Sequence, residues 1–185
     1  MKNTALRPAF VCFSVMTIFC GVFYTGAVTG LAGLFFPRQA GGSLIAVEGK
    51  DGLTHNAGSA LIGQEFTKAK YLIGRPMGTT NLSPVGERQK SLVRERIEAW
   101  HALDPENARA IPMDLVTASG SGVDPHISPE AAEYQVRRIA RERMIGENAV
   151  RAIIKKYTQG RFLGIFGDRS VSVLKVNLAL DGLLE

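Results

Sequence analysis

From Ala9 to Phe36 the chain runs 28 residues without a charged side chain, between Arg7 and Arg38. That run constrains everything after it. About 18 apolar residues already cross the hydrocarbon core of a bilayer, so a stretch of this length reads as one membrane span with room for tilt. The competing reading is a cleaved secretory signal, for which Lys2 and Arg7 supply a basic start and Thr25 to Gly33 supply small residues. A signal's apolar region is only about 7–15 residues long, so retention is the expectation. Bulky residues precede both Cys12 and Cys20, which disfavours lipid attachment at a processed cysteine. The expected organisation is a short cytoplasmic tail at 1–8, a transmembrane helix at 9–36, a linker at 37–43 and one soluble domain at 44–185.

The soluble part holds all 17 acidic residues, and only Lys2 and Arg7 of the 22 lysines and arginines precede the span. A balance so near neutral gives no basic stripe of the kind nucleic acid needs. The densest basic passage, Arg137-Arg138-Ile139-Ala140-Arg141-Glu142-Arg143, is interleaved with acids. Helical i,i+4 spacing would pair Glu133 with Arg137 and Arg138 with Glu142 on a solvated face, the alternative being a surface for an acidic partner. Both cysteines lie in the span, so the soluble part has neither disulfides nor thiolate metal sites. His55, His101 and His126 are too scattered to suggest a metal centre, and no metal or prosthetic group is expected.

Orientation follows from the basic residues near the span. Lys2, Arg7 and the α-amino group crowd its N-terminal side, whereas Arg38 and Lys50 on the other side are offset by Glu48 and Asp51. The positive-inside rule therefore places the N-terminus in the cytoplasm and the soluble domain outside it. Within the span, Gly26, Gly30 and Gly33 share one helical stripe, a small-xxx-small pattern through which a partner helix can approach closely.

Along the soluble part, Ser43 to Val47 reads as a strand, Asp51-Gly52 as a turn and Ser59 to Phe66 as a second strand. Gly74 to Pro84 reads as a loop. Ser83 with Pro84 caps an amphipathic helix whose inner residues are Leu92, Val93, Ile97, Trp100 and Leu103. Ile111 to Ala118 is strand-like. Ser128-Pro129 starts a second helix over Ala132, Val136, Ile139 and Ala140, and Val150 to Tyr157 forms a third that ends near Gly160. Alternation from Val171 to Leu180 suggests a closing strand. Strands and helices intermix, and the fold class expected is α+β.

The most individual passage is Asp114 to Pro129, read as strand, glycine-serine loop, turn and capped helix. Thr117, Ser119, Gly120, Ser121, Gly122, Asp124, His126 and Ser128 are its candidate functional residues. Two uses stand open. Exposed amides ahead of a helix can receive an anion or a carbonyl, or the glycines permit a tight turn whose hydroxyls satisfy local backbone groups. Ser119, Ser121, Asp124 and His126 also raise a membrane-tethered serine hydrolase, but neither serine sits in a G-x-S-x-G elbow. A self-contained nucleotide site lacks its phosphate loop, since Gly160, Gly164 and Gly167 have the wrong spacing and no following Lys-Ser/Thr.

This passage resembles the signature of the C subunit of the bacterial Kdp potassium-transporting ATPase. Five further blocks match in order: Leu6 to Ala9; Phe36-Pro37 with Gln39-Ala40 and Gly42 to Ile45; Gly58 to Gln64; Gly74 to Pro76; and Val176 to Asp181. The resemblance implies a non-enzymatic, single-span subunit in the bacterial cytoplasmic membrane. Its implied partners are an ATP-hydrolysing pump subunit, a potassium-channel subunit and a small accessory subunit, besides membrane lipid. ATP enters only through the pump subunit. The resemblance further implies a catalytic chaperone that raises the pump's ATP affinity, with Gln135 at the position associated with nucleotide. An outside domain fits better with covering the outer mouth of the channel and securing assembly. Two departures stand out: only Met77 to Thr80 where the family carries a longer Ser/Gly/Asn-rich loop, and Arg137 in place of a proline, which favours a regular helix.

Overall fold

The computed structural model describes residues 5–49, 52–79 and 81–184. Lys2, Lys50, Asp51, Thr80 and Glu185, on which parts of the charge, turn and loop readings fall, lie outside the described residues. The chain divides into two compact units, 1–44 and 45–185.

In the first unit, α1 (Leu6–Phe35) is a 30-residue apolar helix with a mean hydropathy of 1.9 in its best window. At 1.5 Å per residue it extends about 45 Å, beyond the roughly 30 Å hydrocarbon thickness. Phe19–Tyr24 widens to a π-helical turn, where the Thr25 hydroxyl donates to the Cys20 carbonyl at 2.9 Å. None of its residues is buried. Phe36 leaves helical geometry (φ −134, ψ 52) and Pro37 opens the one-turn α2 (Pro37–Ala40), because a residue before proline is pushed away from the α region.

The second unit mixes helix and sheet, an α+β domain. In it β1 (Leu44–Glu48) pairs with β2 (Thr54–Ser59). Alternation turns Ile45 and Val47 inward onto Leu174 and Leu178. The second strand thus ends where it was expected to begin. From Ala60 the chain turns away, since Gly58 has no side chain and Gln64 folds back there, its amide donating to the Ala57 carbonyl at 2.9 Å. Next comes α3 (Glu87–Leu103), capped by Gly86 and not by Ser83, whose carbonyl closes a turn with the Gly86 amide. Its inner face carries Val93, Ile97, Trp100 and Leu103.

Ile111 to Ala118 is not a strand. A 3-10 turn at Met113–Leu115 places Leu115 and Val116 both inward, which a strand's alternation forbids. The chain then forms β3 (His126–Ile127), α4 (Pro129–Arg143), α5 (Glu147–Lys156), β4 (Thr158–Gln159), β5 (Ser170–Ser172) and α6 (Val173–Leu180). The second sheet runs β3-β5-β4, all antiparallel, with Ile127 and Thr158 flanking Val171. The closing strand expected over 171–180 shrinks to Ser170–Ser172, and the rest is helix. Burial explains it: Val173, Leu174, Val176, Asn177 and Leu178 are all inside. A helix can divide them between two clusters, Val173 and Val176 in the main core and Leu174 and Leu178 under β1. Tertiary packing thus overrides the β preference of the valines.

Candidate functional site

The passage from Asp114 to Pro129 folds as a clamp between α3 and α4. Its helix end was legible: the Ser128 hydroxyl caps α4 by accepting from the Ala131 amide at 3.0 Å, and Pro129 takes the first helical position. Asp114 reaches forward 14 residues to accept from the Ser128 amide at 2.7 Å, closing the loop at its base. Thr117 donates to the Met113 carbonyl at 2.8 Å. At the tip the Ser119 hydroxyl accepts from the Gly122 amide at 2.9 Å and Ser121 from the Val123 amide at 3.3 Å. The two hydroxyls lie 3.3 Å apart. Asp124 accepts from the His126 amide at 3.0 Å, an Asx turn.

The loop is also gripped from outside. Gly63 donates to the Val123 carbonyl at 2.7 Å and Gly78 to the Gly122 carbonyl at 2.9 Å. Gly122 has φ +70, and a Cβ there would lie 2.5 Å from the Gly78 carbonyl carbon, so both conformation and crowding require glycine. Gly120, by contrast, lies in open space. The Arg75 guanidinium donates to the carbonyls of Thr117 and Ala118 at 3.3–3.4 Å, with Asp124 4.0 Å away. Arg96 donates to the Val116 carbonyl at 2.9 Å. Neither arginine was singled out from the sequence for this role, since carbonyl acceptors leave no residue-type signal.

The serines, Asp124 and His126 are neighbours but not a relay. The ring Nδ1 of His126 lies 3.7 Å from Asp124, yet among the described residues neither serine hydroxyl bonds His126. Beside the clamp opens a cavity of about 370 Å³, floored by Phe66, Ile73, Trp100, Leu103 and Leu115 and rimmed by Arg75 and Arg96. Among the described residues no group of three or more His, Cys, Asp or Glu converges.

Gln135 is 1% exposed. Its carbonyl accepts from the Ile73 amide at 2.8 Å, and its amide nitrogen donates to the Ile73 and Ala131 carbonyls at 2.9 and 3.2 Å. Asn177 on α6 treats Leu72 the same way, with both bonds at 2.8 Å. The extended segment 72–73 thus has its backbone groups met by two amide side chains in place of a sheet partner. Arg138 completes the arrangement. It was expected on a solvated face opposite Glu142, but is fully buried. It donates to the carbonyls of Ala69 and Tyr71 and, at 2.6 Å, to Gln135. Burial pushes its pKa down to about 10, against the pull of Asp104 and Glu142. The surface pairing also differs from the i,i+4 reading: Glu133 meets Arg151 at 2.8 Å, and Arg141 meets Asp104 at 3.0 Å.

Gly26, Gly30 and Gly33 lie along α1 with nothing within 4 Å of an added Cβ.

Comparison with known proteins agrees with the motif. The family described as KdpC, the K+-transporting ATPase c chain, matches residues 6–182. A potassium-transporting ATPase KdpC subunit from Listeria monocytogenes is 54% identical over 180 residues, 96% of this chain and 95% of the relative. Proteins of the same description from Clostridium perfringens and a Janthinobacterium species are each 46% identical, covering 97% and 98% of this chain and 98% and 99% of their own. Near-complete coverage on both sides includes the apolar helix, the clamp and α6 alike, and the chain therefore belongs to the KdpC family of potassium-transporting ATPase subunits.

Proposed function

We propose that the chain is a non-catalytic, single-span subunit of an ATP-driven potassium import complex, with its N-terminus in the cytoplasm and its α+β domain outside. There it secures assembly with the pump and channel subunits and covers the channel's outer mouth. The observation that carries this reading is the saturation of the clamp. Thr117, Ser119, Ser121, Asp124 and Ser128 all bond within the domain, so the passage builds a rigid surface and presents no poised nucleophile. Gly26, Gly30 and Gly33 serve as the packing stripe for partner helices.

A rise in the pump's ATP affinity is, in this reading, indirect. ATP is cytoplasmic, and Gln135 is held on both sides by the Ile73 backbone. The subunit acts on nucleotide by favouring a pump conformation through membrane and outer contacts, which needs only a difference in affinity for two states.

A phosphatase reporter that folds only outside the cytoplasm, fused after Glu185, tests the orientation. High activity is expected; activity only when the reporter precedes Met1 would overturn it. Copurification with a large multi-span complex is the companion result, and absence of labelling by a fluorophosphonate probe is the result expected of a chain without a serine nucleophile.

A further inference from the structure

Between β4 and β5 the chain forms a tight loop whose apolar side chains face water. Phe162 and Phe166 exchange backbone hydrogen bonds of 2.8 and 2.9 Å, and the Gly164 and Ile165 amides bond back to Arg161 and Phe162. Leu163 and Gly164 both have positive φ, 52 and 75, the left-handed geometry of the two central residues of a tight turn over 162–165. The result is a closed tip. Phe162, Leu163, Ile165 and Phe166 are 72, 75, 75 and 63% exposed. Single exposed apolar residues are ordinary, but four on one five-residue turn form a patch that calls for a partner.

Cations flank the tip in sequence. Lys155 and Lys156 end α5, and Arg161 and Arg169 flank the turn, against Asp168 as the acid between 155 and 169. Arg161 reaches Asp168 loosely at 3.8 Å, and both are well exposed. An apolar tip with long basic side chains close to it in the chain matches a bilayer interface, where the tip enters the acyl boundary and the cations meet lipid phosphates. The phenylalanines and arginines would suit a protein seat as well, and Lys155 and Lys156 favour lipid, since lysine is depleted at protein interfaces. The same chain carries an apolar helix long enough to span, which keeps the local concentration of bilayer high.

We propose that the 161–169 turn is a second membrane contact: Phe162, Leu163, Ile165 and Phe166 insert at the interface of the bilayer that holds α1, with Lys155, Lys156, Arg161 and Arg169 against anionic headgroups. The proposal rests on α1 being retained as a span. The test uses the full chain with Cys12→Ala and Cys20→Ala, labelled with an environment-sensitive fluorophore at Leu163→Cys or, as a control, at the exposed Met144→Cys. It is reconstituted in vesicles of phosphatidylethanolamine and phosphatidylglycerol containing a headgroup-level quencher lipid. The label at 163 is expected to shift blue and be quenched while that at 144 is not. The effect should weaken in phosphatidylcholine vesicles and on adding Arg161→Glu with Arg169→Glu. Equal water exposure at both positions overturns the proposal, as does protection at 163 only when the other subunits are added, which would mark a protein seat. A chain that fails to float with the vesicles at all takes down the span and the tip together, which separates the two failures.

Discussion

Between α4 and α6 the domain buries polar side chains, while at the 161–169 turn it exposes apolar ones. Both invert the usual partition, and for different reasons. Inside, Gln135, Arg138 and Asn177 are at most 1% exposed, and they bond the backbone of 69–73, with the Arg138 Nε left without a partner. Buried polar groups are tolerable when hydrogen-bonded and costly when not. Outside, Phe162 and Phe166 are mostly exposed, and their backbone bonds hold the turn without their side chains. The first inversion belongs to folding and the second to association, so substitutions in the two regions should separate cleanly.

The largest effect is expected at Arg138. Replacing it with Met keeps much of the volume but leaves the carbonyls of Ala69 and Tyr71 without this donor, while the Gln135 carbonyl loses one of two donors and keeps the Ile73 amide. Each unpaired buried acceptor costs about 1–3 kcal/mol, and relief of the buried charge offsets part of the sum. A net loss of about 2–4 kcal/mol is expected, against a total of about 5–15 for a typical domain. Urea unfolding in detergent measures it. A loss under about 0.5 kcal/mol, within the range of ordinary surface changes, would mean that 69–73 does not depend on this donor.

The same residue shows where the sequence was readable and where it was not. The apolar run, the Ser128-Pro129 helix start and the inner face of α3 rest on local patterns, and each was legible. Arg138 was misplaced because i,i+4 spacing to Glu142 says nothing of which way the helix faces. Its acceptors are carbonyls nearly 70 residues away, and every residue has one. Val171 to Leu180 failed similarly: its alternation fits a strand, but Leu174 and Leu178 are needed under β1 while Val173 and Val176 are needed in the main core. In the clamp, the glycines were legible as turn-formers. The reason Gly122 in particular has no room for a side chain, the approach of Gly78, is a long-range contact with no local trace.

A smaller effect sharpens the polar side of the contrast through pH. The Tyr71 hydroxyl donates to Asp181 at 2.9 Å. Burial first, and then this bond and the Asp181 charge, raise its pKa above 10.0, with Arg143 and Lys68 opposing. The folded protein therefore holds this proton where the unfolded chain releases it. The stabilisation is complete below pH 10 and is lost as pH rises through the higher folded value. Tyr71→Phe should lower stability by about 0.5–1 kcal/mol at pH 7, and the gap between the two proteins should close above pH 10. Tyr134, whose pKa burial also raises, is present in both and cancels in the difference. A gap that stays constant across this range would remove Asp181 as the partner of the hydroxyl.

The smallest effect on folding is expected at the tip, and its smallness is informative. Phe162→Ser with Phe166→Ser deletes two aromatic side chains, which in a core would cost about 3–5 kcal/mol each. Here both are mostly exposed, the turn is closed by backbone bonds, and Leu163 and Gly164 keep their conformations without either ring. The unfolding midpoint of the full chain in detergent should stay within about 0.5 kcal/mol of the parent. A loss above about 2 kcal/mol would show that the rings pack on the domain in solution, and the distinction between a folding region and an associating one would fall. An unchanged midpoint together with loss of the vesicle-dependent shift at position 163 would assign the apolar side chains to contact alone.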